Sequence, residues 1–188
     1  MTQPYYDFCV AAGEPSGRDA TGGGQHWAGS ALYTCRLDAD GSAIRIVNSV
    51  ELPSALPGYL ALARTRAGQQ ILYAASGEEI MWFSIGDENQ LALRGSVPTG
   101  NDGAAHLCTD STARCLFTAN YGSGTVTLLP IAEDGALGEA KVYSHGPGAH
   151  AGAKGRWGDG PQFRQESAHP HGVVVCGGQL YVADLGTN

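Results

Sequence analysis

The chain has 188 residues, 28 of them glycine, and its 18 acidic against 11 basic side chains give a formal net charge of -7. That balance argues against nucleic acid, which is bound by basic surface that displaces counterions from phosphate, and against an anionic membrane surface. There is no apolar run of about 18 residues, and no basic start leading into an apolar segment, so the expectation is a cytoplasmic protein without membrane contact. Five cysteines (Cys9, Cys35, Cys108, Cys115, Cys176) are odd in number and form no CxxC pair, so the reading includes neither a disulfide framework nor a metal site.

The first segment carries FCVAA (8–12), ALYTCRL (31–37), the turn DADG (38–41) and SAIRIVNSVEL (42–52). A loop rich in glycine, 14–30, interrupts it. The second segment runs from YLALA (59–63) through the turn RAGQQ to ILYAASGEEIMWFSI (71–85) and DENQLALRGSV (87–97). The third repeats the order: AHLCT (105–109), DSTAR, CLFTANYGSGTVTLLPI (115–131) and EDGALGEAKVYS (133–144). The fourth begins with HGVVV (171–175), CGGQ and QLYVADLGTN (179–188). Tyr73, Phe117 and Tyr181 fall on one another, 44 and 64 residues apart.

A unit of four short strands over roughly 45 residues is the size of a propeller blade. Alternation in TVTLLPI and AIRIVNSV, with Asp-Gly turns between strands, supports an all-β reading. LALARTRAGQQILYAA has helix propensity, but its match to the other repeats makes it a strand pair. The expected architecture is one partial β-propeller over 1–188, built of four-stranded antiparallel blades. The expected blades are 5–52, 59–97, 105–144 and an incomplete 169–188. The extra length of the last interval falls in the loop 145–168, where long structureless connections are commonly functional. In this reading about three and a half of seven blades are present, as in the N-terminal half of a longer ring. An open array would then expose a blade edge for self-association and lack one wall of any central site.

TANYGSGTVTLLPIAEDGAL, the RQE of 164–166, HPHGVVV and LYVADLGTN, in that order, resemble the lactonase family of seven-bladed β-propellers, over roughly residues 31–188. That family includes propeller-type 6-phosphogluconolactonases and carboxymuconate cyclases. The resemblance implies a central-cleft enzyme without a cofactor, acting on a small anionic lactone through a histidine of the HPH segment. The candidates are His169 or His171 as catalytic residue, and Arg164, Gln165, Glu166, His106, Asn120 and Tyr121 as substrate contacts.

Hydrolysis of a sugar lactone needs a base to activate water and donors for the oxyanion, and imidazole suits the first role near neutral pH. An arginine would hold a phosphate or carboxylate by paired hydrogen bonds. The favoured reading is 6-phosphogluconolactonase-like hydrolysis, inactive if the ring is incomplete. A cyclase-like reaction and a non-catalytic binding scaffold are the alternatives. His169 and His171 share one face if the segment is regularly extended, and each has a second reading as a hydrogen-bonded structural residue. Arg164 and Glu166 could equally form a surface ion pair. His106, placed like the HPH segment in its own repeat, points to the channel or is buried on a backbone partner. Asn120 and Tyr121 could serve only the geometry of their turn.

Overall fold

The computed structural model describes residues 5–18, 25–53, 57–100, 103–144 and 167–186. These form four antiparallel sheets in chain order, and the helical content among the described residues is a 3-10 turn at Asp87–Asn89. Blade 1 holds β1 (Tyr5–Arg18), β2 (Gln25–Asp38) and β3 (Ile44–Glu51). Blade 2 holds β4 (Tyr59–Arg64), β5 (Gln70–Ser76), β6 (Glu79–Ile85) and β7 (Leu91–Pro98). Blade 3 holds β8 (Ala104–Thr109), β9 (Cys115–Asn120), β10 (Thr125–Pro130) and β11 (Lys141–Ser144). Blade 4 is the pair β12 (Pro170–Cys176) and β13 (Gln179–Asp184).

The ambiguous stretch after residue 59 is a strand pair with Leu62 opposite Leu72. Burial explains why: β5 is enclosed along nearly its whole length, and a sheet between two neighbouring sheets is apolar on both faces. The strands β4, β8 and β12 stand side by side, so each blade presents its first strand to the same side of the array. Blades 2 and 3 are joined by an apolar layer that includes Ile71, Ile80, Leu116 and Leu129. Tyr73 is fully buried in that layer and its hydroxyl donates to the Gly135 carbonyl at 2.9 Å. Burial, with the Asp134 carboxylate nearby, pushes its phenol up to about 12.

The turn that receives Tyr73 has a twin in blade 1. Gly135 N–H donates to Ala132 and Gly41 N–H to Asp38, at 3.1 and 2.8 Å. In each turn an aspartate, Asp134 or Asp40, accepts from the backbone two residues on. Both glycines have positive φ, 91° and 74°.

Blade 1 departs from the sequence alignment, which set FCVAA against the first strand of the unit. Asn89, in the turn from β6 to β7, donates to the Asp7 carboxylate, and Thr34 donates to the Asn89 carbonyl at 3.0 Å. The chain therefore enters β1 at the end of the array where β5 begins, so β1 holds the second-strand position. Three strands are described in this blade instead of four. A hollow of about 490 Å³, lined in part by Phe8, Cys9, Leu60 and Leu62, occupies the place where blades 2 and 3 carry their first strand.

Candidate functional site

At the end of the array where β4, β8 and β12 begin, the pairing of β12 with β13 is irregular. Pro170 faces Asp184 and Gly172 faces Ala183, which leaves His171 as the extra residue of a bulge. Bulges near sheet rims re-aim a side chain, and here the consequence is direct. His169 is 7% exposed, whereas His171 is exposed to solvent. The two differ in exposure, although the rings of both adjoin that of Tyr121.

The same irregularity occurs in blade 3, where Ala104 faces Asn120 and His106 faces Ala119. Matching the two pairings places Asn120 with Asp184, His106 with Gly172, and Ala105 with His171. His106 is thus one position beyond the equivalent of His171. Its Nδ1 accepts from the Val173 backbone N–H at 3.4 Å, linking β8 to β12, and its ring meets Tyr59 edge-on at 5.0 Å.

His169 is held at every polar atom. Its backbone N–H donates to Asp184 Oδ1 at 2.9 Å, and its carbonyl accepts from Leu185 at 3.0 Å. Its Nδ1 lies 2.9 Å from the Tyr121 carbonyl, which can only accept, so Nδ1 carries a proton. Its Nε2 is 3.3 Å from Ser167 Oγ. The ring stacks on Tyr121 at 4.5 Å and 19°, and the same Tyr121 ring stands perpendicular to His171 at 6.0 Å.

Two glycines leave no slack around this segment. A Cβ on Gly186 would fall 1.7 Å from the Ser167 carbonyl oxygen and 2.9 Å from His169 Cδ2. On Gly124, at φ +68°, it would fall 2.7 Å from the Ala168 carbonyl oxygen. Below Tyr121, Asn120 is fully buried: its amide donates to Thr125 and Thr127, and its carbonyl accepts from Thr118. Thr127 in turn reaches the Thr99 carbonyl at 3.3 Å, where the chain leaves blade 2. Asn120 sits inside the scaffold that fixes the turn, away from solvent.

The fold thus brings Tyr121, His169 and His171 together, sets His106 against β12, and encloses Asn120 beneath them. Arg164, Gln165 and Glu166 lie outside the described residues. Tyr59, Ser167 and Asp184 belong to the assembly and are absent from the sequence-based candidates. Tyr59 and His106 hold the same pairing position, opposite Ala75 and Ala119, an equivalence that the strand register reveals. Among the described residues no three His, Cys, Asp or Glu side chains gather as a metal site would require. Burial pushes the thiols of Cys9, Cys108 and Cys115 above their ordinary range, which keeps them protonated and poor as nucleophiles.

A family model described as lactonase, 7-bladed beta-propeller, matches residues 20–188. The chain belongs to this family. No curated protein matches this chain in sequence. Among solved structures it is similar to a Bacteroides fragilis protein provisionally named a 6-phosphogluconolactonase, at 23% identity and TM-score 0.69. That likeness covers 100% of this chain and 47% of the other. It is also similar to the periplasmic gluconolactonase of Pseudomonas aeruginosa, at 21% identity and TM-score 0.70, covering 97% of this chain and 48% of that one. A Lactobacillus plantarum protein matches at 22% identity and TM-score 0.67, over 97% and 47% of the two chains. At these identities the likeness is one of fold, and this chain spans about half the length of each structure. Among the described residues no helix is long and apolar enough to cross a membrane.

Proposed function

We propose that this chain forms part of a hydrolase of sugar lactones, with 6-phosphogluconolactone as substrate and His171 as the general base. The observation that carries the assignment is the bulge, which turns His171 to solvent while His169 is buried and bonded at both ring nitrogens. A base must reach the water it activates, and His171 is the exposed member of the pair.

In this reading His171 takes a proton from a water molecule as its oxygen attacks the lactone carbonyl. The tetrahedral intermediate then collapses, the ring C–O bond breaks, and the imidazolium returns the proton to the departing alkoxide. The products are a carboxylic acid, which releases its proton to solvent as the carboxylate forms, and a free hydroxyl, with no net change in the histidine. Arg164, five residues before His169, supplies the cation for the substrate phosphate.

The test uses the native protein and follows lactone opening against the spontaneous rate, with phosphorylated and unphosphorylated gluconolactone in parallel. His171→Gln is expected to lower kcat by about 10²- to 10⁴-fold, the usual contribution of a positioned proton-transfer group. Arg164→Gln is expected to raise KM for the phosphorylated lactone alone. An unchanged rate in His171→Gln would remove the assignment of the base. Equal rates on the two lactones, unaltered by Arg164→Gln, would remove the phosphate.

A further inference from the structure

The arrangement around His169 is more elaborate than burial of one side chain requires. Its segment is wedged between two blades, with Gly124 on the blade 3 side and Gly186 on the blade 4 side, both too close to accept a methyl group. Its backbone is tied at N–H and carbonyl to the end of β13, and its ring nitrogens to Tyr121 and Ser167. Tyr121 is thereby fixed twice, by the hydrogen bond to its carbonyl and by the face of the imidazole on its ring. The other neighbour of that phenol ring is His171. Tyr121 itself is half-buried and starts a turn.

We propose that His169 is a positioning residue, acting on His171 through the Tyr121 ring. It performs no proton transfer itself. Its Nδ1–H holds the Tyr121 carbonyl, and the perpendicular tyrosine ring limits the orientations open to the exposed imidazole. Blades 3 and 4 are thus coupled at the site: the residue that fixes the orientation belongs to one blade's entry, and the ring that transmits it to the other blade's turn. This rests on His171 being the base, because a positioned imidazole without chemistry would have no functional consequence.

The structural half is read without any activity. In the native protein, nuclear magnetic resonance of ring protons reports the ring-current shift that Tyr121 imposes on His171. His169→Ala is expected to collapse that shift, and His169→Asn, whose side-chain N–H can still reach the Tyr121 carbonyl, to retain most of it. If His169→Ala fails to fold, Tyr121→Leu still tests the last step, the effect of the Tyr121 ring on His171, since its main-chain carbonyl still holds His169 while the ring is gone. An unchanged His171 signal in the alanine variant, or in Tyr121→Leu, would overturn the proposal.

The kinetic half separates this idea from the assignment of the base. Misplacement of a catalytic group by about 1 Å can cost about 10²-fold, so His169→Ala is expected to lower kcat by roughly 10- to 100-fold with KM little changed. His169→Asn should recover most of the rate. If His171→Gln is inactive and His169→Ala keeps full kcat, the base stands and the positioning role falls. If His171→Gln is fully active, the base is wrong, and with it the functional meaning of the coupling.

Discussion

The joint between blades 2 and 3 and the joint between blades 3 and 4 are built from different materials. The first encloses ten buried apolar residues, against three (Ala119, Val126 and Val173) in the second, among the described residues. The buried polar contacts across the first joint include the Tyr73 hydroxyl on the Gly135 carbonyl and the Thr127 hydroxyl on the Thr99 carbonyl. The second carries at its rim two histidines bonded across blades, a stacked tyrosine and two crowded glycines. Apolar burial is non-directional and tolerates small shifts, whereas a hydrogen-bonded ring does not. The same blade repeat therefore supplies stability at one joint and fixed geometry at the next.

This contrast can be broken most forcefully at the apolar joint. Leu116→Ala, at a fully buried position, is expected to cost about 3 kcal/mol in urea unfolding while leaving the His171 ring signal in place. Gly186→Ala should do the reverse. Its new methyl must displace Ser167 and His169, so a cost of about 2 kcal/mol is expected together with a changed His171 signal. If both variants altered stability and ring signal alike, the division between the joints would be lost.

Tyr73→Phe sharpens the comparison on a smaller scale. Removing the hydroxyl leaves the Gly135 carbonyl unpaired in a buried place, at about 1 kcal/mol. The pH dependence gives its sign. The phenol is held neutral by the fold, up to about 12, while in the unfolded chain it ionises near its ordinary value of 10. Its contribution is complete below pH 10 and is lost as the pH rises from there to about 12, so the phenylalanine variant should lose stability less steeply over that window.

The smallest effect is expected at the joint between blades 1 and 2. The Arg36 guanidinium, 2.7 Å from Asp7, holds that carboxyl below the ordinary carboxylate range, partly offset by burial and reinforced by Asn89. A depressed folded value means that the stabilisation is present above the unfolded value and fades as the pH falls through the folded one. Asp7→Asn should therefore lower stability modestly near neutrality and flatten the acid limb of the stability curve, where the difference from the parent chain closes. Acid unfolding followed by fluorescence at several pH values would show it, and an unaltered acid limb would contradict it.

Much of this fold was legible because the repeat is written in side chains that alternate locally: Tyr73, Phe117 and Tyr181 each mark the second strand of a blade. Blade 1 was misaligned because FCVAA has the same short apolar pattern as either of the first two strands. Only a contact distant in sequence, Asn89 to Asp7, decides between them. The site was less legible for the same reason. A bulge adds one residue without a sequence signature of its own, so an HPH segment read as regular strand does not tell the buried histidine from the exposed one. Asn120 reads as a turn residue, and its enclosure by Thr118, Thr125 and Thr127 depends on the register of two strands.

The paired aspartate–glycine turns carry a consequence for how the sequence can drift. Gly41 and Gly135 share backbone conformation and hydrogen-bond pattern, yet a Cβ at Gly41 would meet nothing within 4 Å, while at Gly135 it would lie 2.5 Å from Ile71. Any side chain at either position bears the strain of positive φ, but only the second also displaces a neighbouring blade. One chain thus contains a matched pair in which local backbone preference and long-range crowding are separable. In a library of random variants, Asn and Asp, which tolerate left-handed backbone, should survive at residue 41 and be eliminated at residue 135.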